Sequence, residues 1–65
     1  MVNFADDYTG DTLKSKRERL YLTQAELAEK IGVTPTAISA WEQGRNRPKL
    51  RHIKKLDELF NVVRQ

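Results

Sequence analysis

Residues 23–44 read TQAELAEKIGVTPTAISAWEQG. The stretch carries two helix starts with a glycine between them. Thr23, Gln24, Ala25 and Glu26 fit a capping box, in which the Thr23 hydroxyl accepts a first-turn N–H and Glu26 reaches back to the N–H of Thr23. Ala25, Leu27, Ala28 and Glu29 are good helix formers. Leu27, Ala28 and Ile31 follow the three- and four-residue spacing of one buried face. Ala28, small in the middle of that face, would let a second backbone come close. Gly32 stands where this helix should stop, because a left-handed residue is cheap only for glycine. Val33 then returns to the core.

Thr34-Pro35 is the second start: a hydroxyl at the N-cap and a proline at the first helical position. Ile38 and Trp41, three apart, should point inward. Pro35, Thr36, Ser39, Ala40 and Gln43 are then expected on or near the outer face. That face is small, uncharged and able to hydrogen-bond, which suits insertion into a groove better than simple solvation.

Together Gln24, Leu27, Ala28, Gly32, Val33, Ile38 and Trp41 resemble the helix-turn-helix of the phage repressor and Cro group, the Xre-like family. The flanking LKSKRERLYLTQAELAEKIGV and ISAWEQGRNRPKL are similar to it too, so the resemblance covers roughly Leu13 to Val62. It implies an all-α fold: a compact, lambda-repressor-like bundle of four short helices, or five. Residues 1–10 would be an N-terminal arm and residues 11–65 the helix-turn-helix domain.

Length and charge agree with that picture. A chain of 65 residues has room for one small core and little room for an enclosed catalytic pocket. Cysteine is absent, which excludes disulfide staples and thiolate zinc sites and fits a reducing compartment. No apolar run reaches the ~20 residues of a membrane helix, and the N-terminus lacks the parts of a signal peptide. A soluble, cytoplasmic, nucleoid-associated protein is expected. Residues 1–11 hold Asp6, Asp7 and Asp11 and no Lys or Arg, so all 12 basic side chains lie in the rest of the chain. A basic body with an acidic arm points to a polyanion partner.

The remaining segments read as supports. In the arm, Phe4 and Tyr8 either pin it to the body or belong to a partner interface, and pinning is the plainer reading. Residues 11–21 form a helix capped by Thr9 or Asp11, with Leu13, Arg17 and Leu20 on one face. A charge between two apolar positions needs a partner. The resemblance supplies one in Glu42, making Arg17–Glu42 a structural brace. At Tyr21 the family often has glycine. A left-handed tyrosine would cost on the order of 1 kcal/mol, so either the turn takes another shape or the ring packs. Pro48 ends the helical pattern after Gly44. Leu50, Ile53, Leu56 and Leu59 or Phe60 mark a last amphipathic helix, which Asn61 can close before Val62-Val63 folds back. His52 reads as an exposed helix residue.

The chemistry these residues offer is binding. One His and no Cys leave little to activate Ser15 or Ser39. No metal-ligand spacing or phosphate-cradling glycine loop occurs, so no enzyme, metal or cofactor is expected. The resemblance implies a sequence-specific, double-stranded DNA-binding regulator, a repressor or Cro-like switch. Its second motif helix, residues 34–43, would read the major groove. It carries base contacts onto Pro35, Thr36, Ser39 and Ala40, and a phosphate contact onto Gln24. Thr34 and Gln43, at the two ends of the reading helix, are expected to meet the DNA backbone. Arg45, Asn46, Arg47 and Lys49 form the densest basic loop and should grip phosphates. A homodimer on a palindromic operator is expected. The alternative is an antitoxin or adaptor that binds a protein through its arm or last helix.

Overall fold

Local signals set both ends of the two central helices, and the computed structural model shows them at work. It describes Tyr8 and residues 10–64, with side chains as far as residue 60. Four helices follow in order: α1 (Gly10–Arg19), α2 (Gln24–Ile31), α3 (Pro35–Glu42) and α4 (Leu50–Arg64). No strand occurs among the described residues, and the fold is all-α as expected. Thr23 caps α2 with both halves of the capping box in place: Glu26 N–H donates to Thr23 Oγ1 at 3.0 Å, and Thr23 N–H to Glu26 Oε1 at 2.8 Å. These bonds favour the charged Glu26 carboxylate and hold its pKa below the ordinary value. Thr34 caps α3 through Ala37 N–H, with Pro35 at the first helical position.

The first three helices stop in the same way. Gly32 and Gly44 take left-handed backbones, with φ of 86° and 76°. Val33 N–H then closes onto Ala28 C=O, and Arg45 N–H onto Ala40 C=O, each at 3.0 Å. These bonds satisfy carbonyls that a helix end otherwise leaves open. At the end of α1 the left-handed residue is Tyr21, at φ 57°, and Leu22 N–H closes onto Arg17 C=O at 3.3 Å. Neither expected alternative holds there. The turn keeps its left-handed form, and the ring is 93% exposed. The strain, roughly 1–2 kcal/mol for an L-residue, is relieved by no burial.

The core lies where the four helices meet. Leu13, Leu27, Ala28, Ile31, Ile38, Trp41, Ile53, Leu56 and Phe60 form one buried cluster with Tyr8. Full burial of each large aliphatic side chain is worth roughly 1.5–3 kcal/mol before entropy is counted. Ala28 is buried on the α2 face that meets the core, and α2 packs chiefly on α3, as its small size suggested. Lys55 Nζ on α4 donates to Ile31 C=O at 3.3 Å, satisfying another carbonyl at the end of α2.

Tyr8 pins its part of the arm. Its ring stacks on Phe60 with centroids 6.0 Å apart, its hydroxyl donates to Asp57 Oδ1 at 2.8 Å, and Lys16 Nζ lies over the ring. Phe4 and Thr9 lie outside the described residues. Two expectations for α4 are corrected. Leu50 is 68% exposed, because it opens the helix beyond the edge of the core, which Ile53, Leu56 and Phe60 enter and Leu59 flanks. Asn61 does not close the helix, which continues through Arg64. The side chains of Val62 and Val63 fall outside the described residues.

Arg17 and Glu42 form the expected brace. Arg17 Nε donates to Glu42 Oε2 at 2.6 Å, and Nη2 to Oε1 at 3.2 Å. Both side chains are nearly closed to solvent, 11% and 5% exposed. The hydrogen bond to Glu42 holds the Arg17 guanidinium above its ordinary pKa. Removing one member strands the other charge in the interior. Glu42→Ala is therefore expected to destabilise the domain by about 3 kcal/mol, with Arg17→Met/Glu42→Leu recovering most of the loss. Urea unfolding of the three proteins measures this, and a double variant no better than Glu42→Ala would contradict it.

Candidate nucleic-acid interface

α3 presents one outward, uncharged face. Ile38 and Trp41 are buried, which turns Pro35 and Thr36 outward; both are exposed. Ser39 is half-buried, and Gln43 Nε2 donates to its hydroxyl at 2.9 Å. That bond ties the two polar groups together along one edge of the helix. Ala40 does not belong to the exposed edge. It is 6% exposed: its carbonyl takes the Arg45 N–H, and its single methyl is too short to stand clear of its neighbours. The expected base contact from Ala40 is corrected on that ground.

The hydrogen-bonding groups of this face are partly committed. Thr34 is exposed, but its hydroxyl caps α3. Gln24 is half-buried, and its Nε2 donates to Glu42 Oε1 at 3.0 Å. The brace thus extends to a third helix and orients Gln24 at the start of α2. Arg17 Nη1 adds a bond to Leu22 C=O at 2.7 Å, tying the turn before Gln24 into the same network. The N-terminus of α2 beside it offers backbone N–H groups and the positive end of the helix dipole.

The basic loop after α3 walls a small pocket. Arg45, Asn46, Arg47 and Lys49 are exposed, and Pro48 between them is buried as an anchor. Trp41, Asn46, Arg47, Lys49 and His52 line an open pocket of about 330 Å³. Its lining of cations, an amide and an imidazole suits an anion. His52 was not foreseen here. It is half-buried rather than exposed, with its ring centroid 5.5 Å from that of Trp41. The signal was its spacing, four residues before Leu56 and one turn from the inward edge of α4. Its Nδ1 is closed to solvent and has no hydrogen-bond partner. Burial first, then Arg51, Lys55 and Lys49, push its pKa below the ordinary value. Among the described residues no group of His, Asp or Glu could hold a metal ion, and no helix is long and apolar enough to cross a membrane.

A family model described as Helix-turn-helix matches residues 13–63. The chain belongs to the Xre-like helix-turn-helix family. It is 38% identical over 53 residues to the HTH-type transcriptional activator BcrR of Enterococcus faecalis, covering 82% of this chain and 26% of that one. It is 50% identical over 38 residues to an uncharacterized HTH-type transcriptional regulator of Methanothermobacter thermautotrophicus, covering 58% and 55%. A shorter share of a longer protein, 14%, matches the type II methyltransferase M.SsoII of Shigella sonnei at 37% identity over 51 residues, 74% of this chain. The chain thus spans about a quarter or less of BcrR and of M.SsoII. No solved structure matches.

The depressed His52 pKa has a consequence for stability. A folded pKa below the unfolded value means that the unfolded chain binds the extra proton first. The contribution of His52 is complete above the unfolded value of about 6.5. It is lost as pH falls below that value toward the folded pKa. His52→Gln should flatten the fall in Tm between about pH 6.5 and 5. Equal slopes for variant and parent across that interval would rule this out.

Proposed function

We propose that the chain is a sequence-specific, double-stranded DNA-binding transcriptional regulator, a repressor or Cro-like switch, that reads the major groove with α3. The observation that carries the reading is the division of α3 itself. Ile38 and Trp41 fix the helix to the core, while Pro35 and Thr36 stand exposed and uncharged beside a loop with three cations in five residues. The family match and the naming of relatives as an HTH-type transcriptional activator and HTH-type transcriptional regulators support the DNA-binding part of this reading. The reading includes no catalytic step and no cofactor.

In this mechanism Thr36 meets a base edge with its hydroxyl or a thymine methyl with its own methyl. Pro35 gives apolar contact and Ser39 a donor or acceptor. No long amide reaches out from Pro35, Thr36 or Ser39, so fit, water and duplex shape share the readout. Arg45, Asn46, Arg47 and Lys49 hold phosphates, joined by Gln24, Thr34 and Gln43 at the helix ends. Two copies act on half-sites about 34 Å apart on a palindromic operator. The adaptor alternative rests on Phe4, Tyr8 and the acidic arm, and the burial of Tyr8 removes one of these supports.

Selection of bound duplexes from a random pool should return a palindrome, and its absence from the enriched pool would count against the dimer. On the selected site Thr36→Ala should change base preference by about 1–3 kcal/mol at one position. Arg47→Ala should weaken all sequences alike and reduce the log–log salt slope by about 0.9. Uniform weakening by both variants would refute the division between reading and gripping. A promoter fused to the selected site should lose output when the chain is supplied, and a gain would reassign it as an activator.

A further inference from the structure

Tyr21 is the one non-glycine residue with positive φ among the described residues. Two other helix ends in this chain make the same reversal, and both use glycine there, Gly32 and Gly44. The fold gains nothing visible from the exception. The Tyr21 ring is 93% exposed, and its side chain makes no hydrogen bond or ring contact among the described residues. Strain that persists without intramolecular compensation points to a use outside the chain.

Position names the partner. Tyr21 stands three residues before Gln24, within about 10 Å along the chain, at the approach to the α2 N-terminus. Its backbone is held from both sides. Leu22 N–H bonds Arg17 C=O, and Arg17 Nη1 bonds Leu22 C=O, so the buried brace fixes the turn that carries the ring. A rigid turn presents a phenol with little further loss of freedom, and tyrosine hydroxyls are common donors to phosphate oxygens.

We propose that Tyr21 is a DNA-backbone contact, held in its left-handed conformation to present ring and hydroxyl to the phosphodiester beside the α2 N-terminus. This rests on the DNA-binding reading above. The contact is uncharged, so it displaces no counterion. Its removal weakens binding to every sequence and leaves the salt slope unchanged, unlike removal of Arg47.

The test compares the parent chain with Tyr21→Gly, Tyr21→Phe and Arg47→Ala. Thermal unfolding, sedimentation, and anisotropy on the selected and random duplexes at several salt concentrations are read together. Tyr21→Gly should raise Tm by several degrees and still lose about tenfold in affinity on both duplexes, a hydrogen bond to a charged group being at stake. Tyr21→Phe should keep the parent Tm and lose most of the same affinity. A purely structural residue cannot give higher stability together with weaker binding. Parent-like affinity in Tyr21→Gly or in Tyr21→Phe overturns the proposal. So does a loss confined to the selected sequence, or a change in self-association alone. If the parent chain binds neither duplex, the DNA reading itself fails. If the parent binds and Arg47→Ala flattens its salt slope, that reading stands whatever Tyr21 does.

Discussion

Arg17, Glu42 and Gln24 join three helices at one nearly solvent-free point. α1 supplies the guanidinium, α3 the carboxylate and α2 the amide. A buried ion pair is a poor source of net stability, because desolvation offsets much of the attraction. What it fixes is orientation. The two-toothed contact of Arg17 with Glu42 tolerates little rotation, and Glu42 is the last residue of α3. The angle at which α3 leaves the core is therefore set at its C-terminal end by this pair and along its length by Ile38 and Trp41. The outward face of Pro35 and Thr36 follows from that angle.

The same network reaches the surface in two places. Through Gln24 it orients the first residue of α2, and through Leu22 it holds the turn carrying Tyr21. Groups proposed for phosphate contact are thus mounted on a rigid base, while the loop from Arg45 to Lys49 is anchored by the buried Pro48 and flanked by the Trp41–His52 contact. A small domain has few contacts to spend on a partner. Holding them in advance limits the ordering that association must supply.

Most boundaries were legible in the residues because they are local. A hydroxyl three positions before a glutamate, a proline after a threonine and a glycine after an apolar run each act within one turn of backbone. The inward positions of α2 were legible from spacing, since helical period alone puts Leu27, Ala28 and Ile31 together. Where the reading failed, the cause lay beyond one helix. Ala40 is buried in the packed domain, His52 lies against a tryptophan eleven residues earlier in sequence, and Leu50 overhangs the core. Periodicity describes one helix in isolation and cannot say how far its neighbours extend over it.

The sequence by itself determined an all-α bundle of four helices or five, the starts and stops of α2 and α3, the family and the uncharged edge of α3, because capping chemistry and side-chain period act over a few residues. Only the tertiary structure decided that Ala40 is lost to that edge, that His52 joins the loop pocket, and that Tyr21 stays left-handed with its ring in solvent. Those outcomes depend on which segments meet across the chain and what each shields from water. That balance is struck by the packed whole, not by the preference of any one residue.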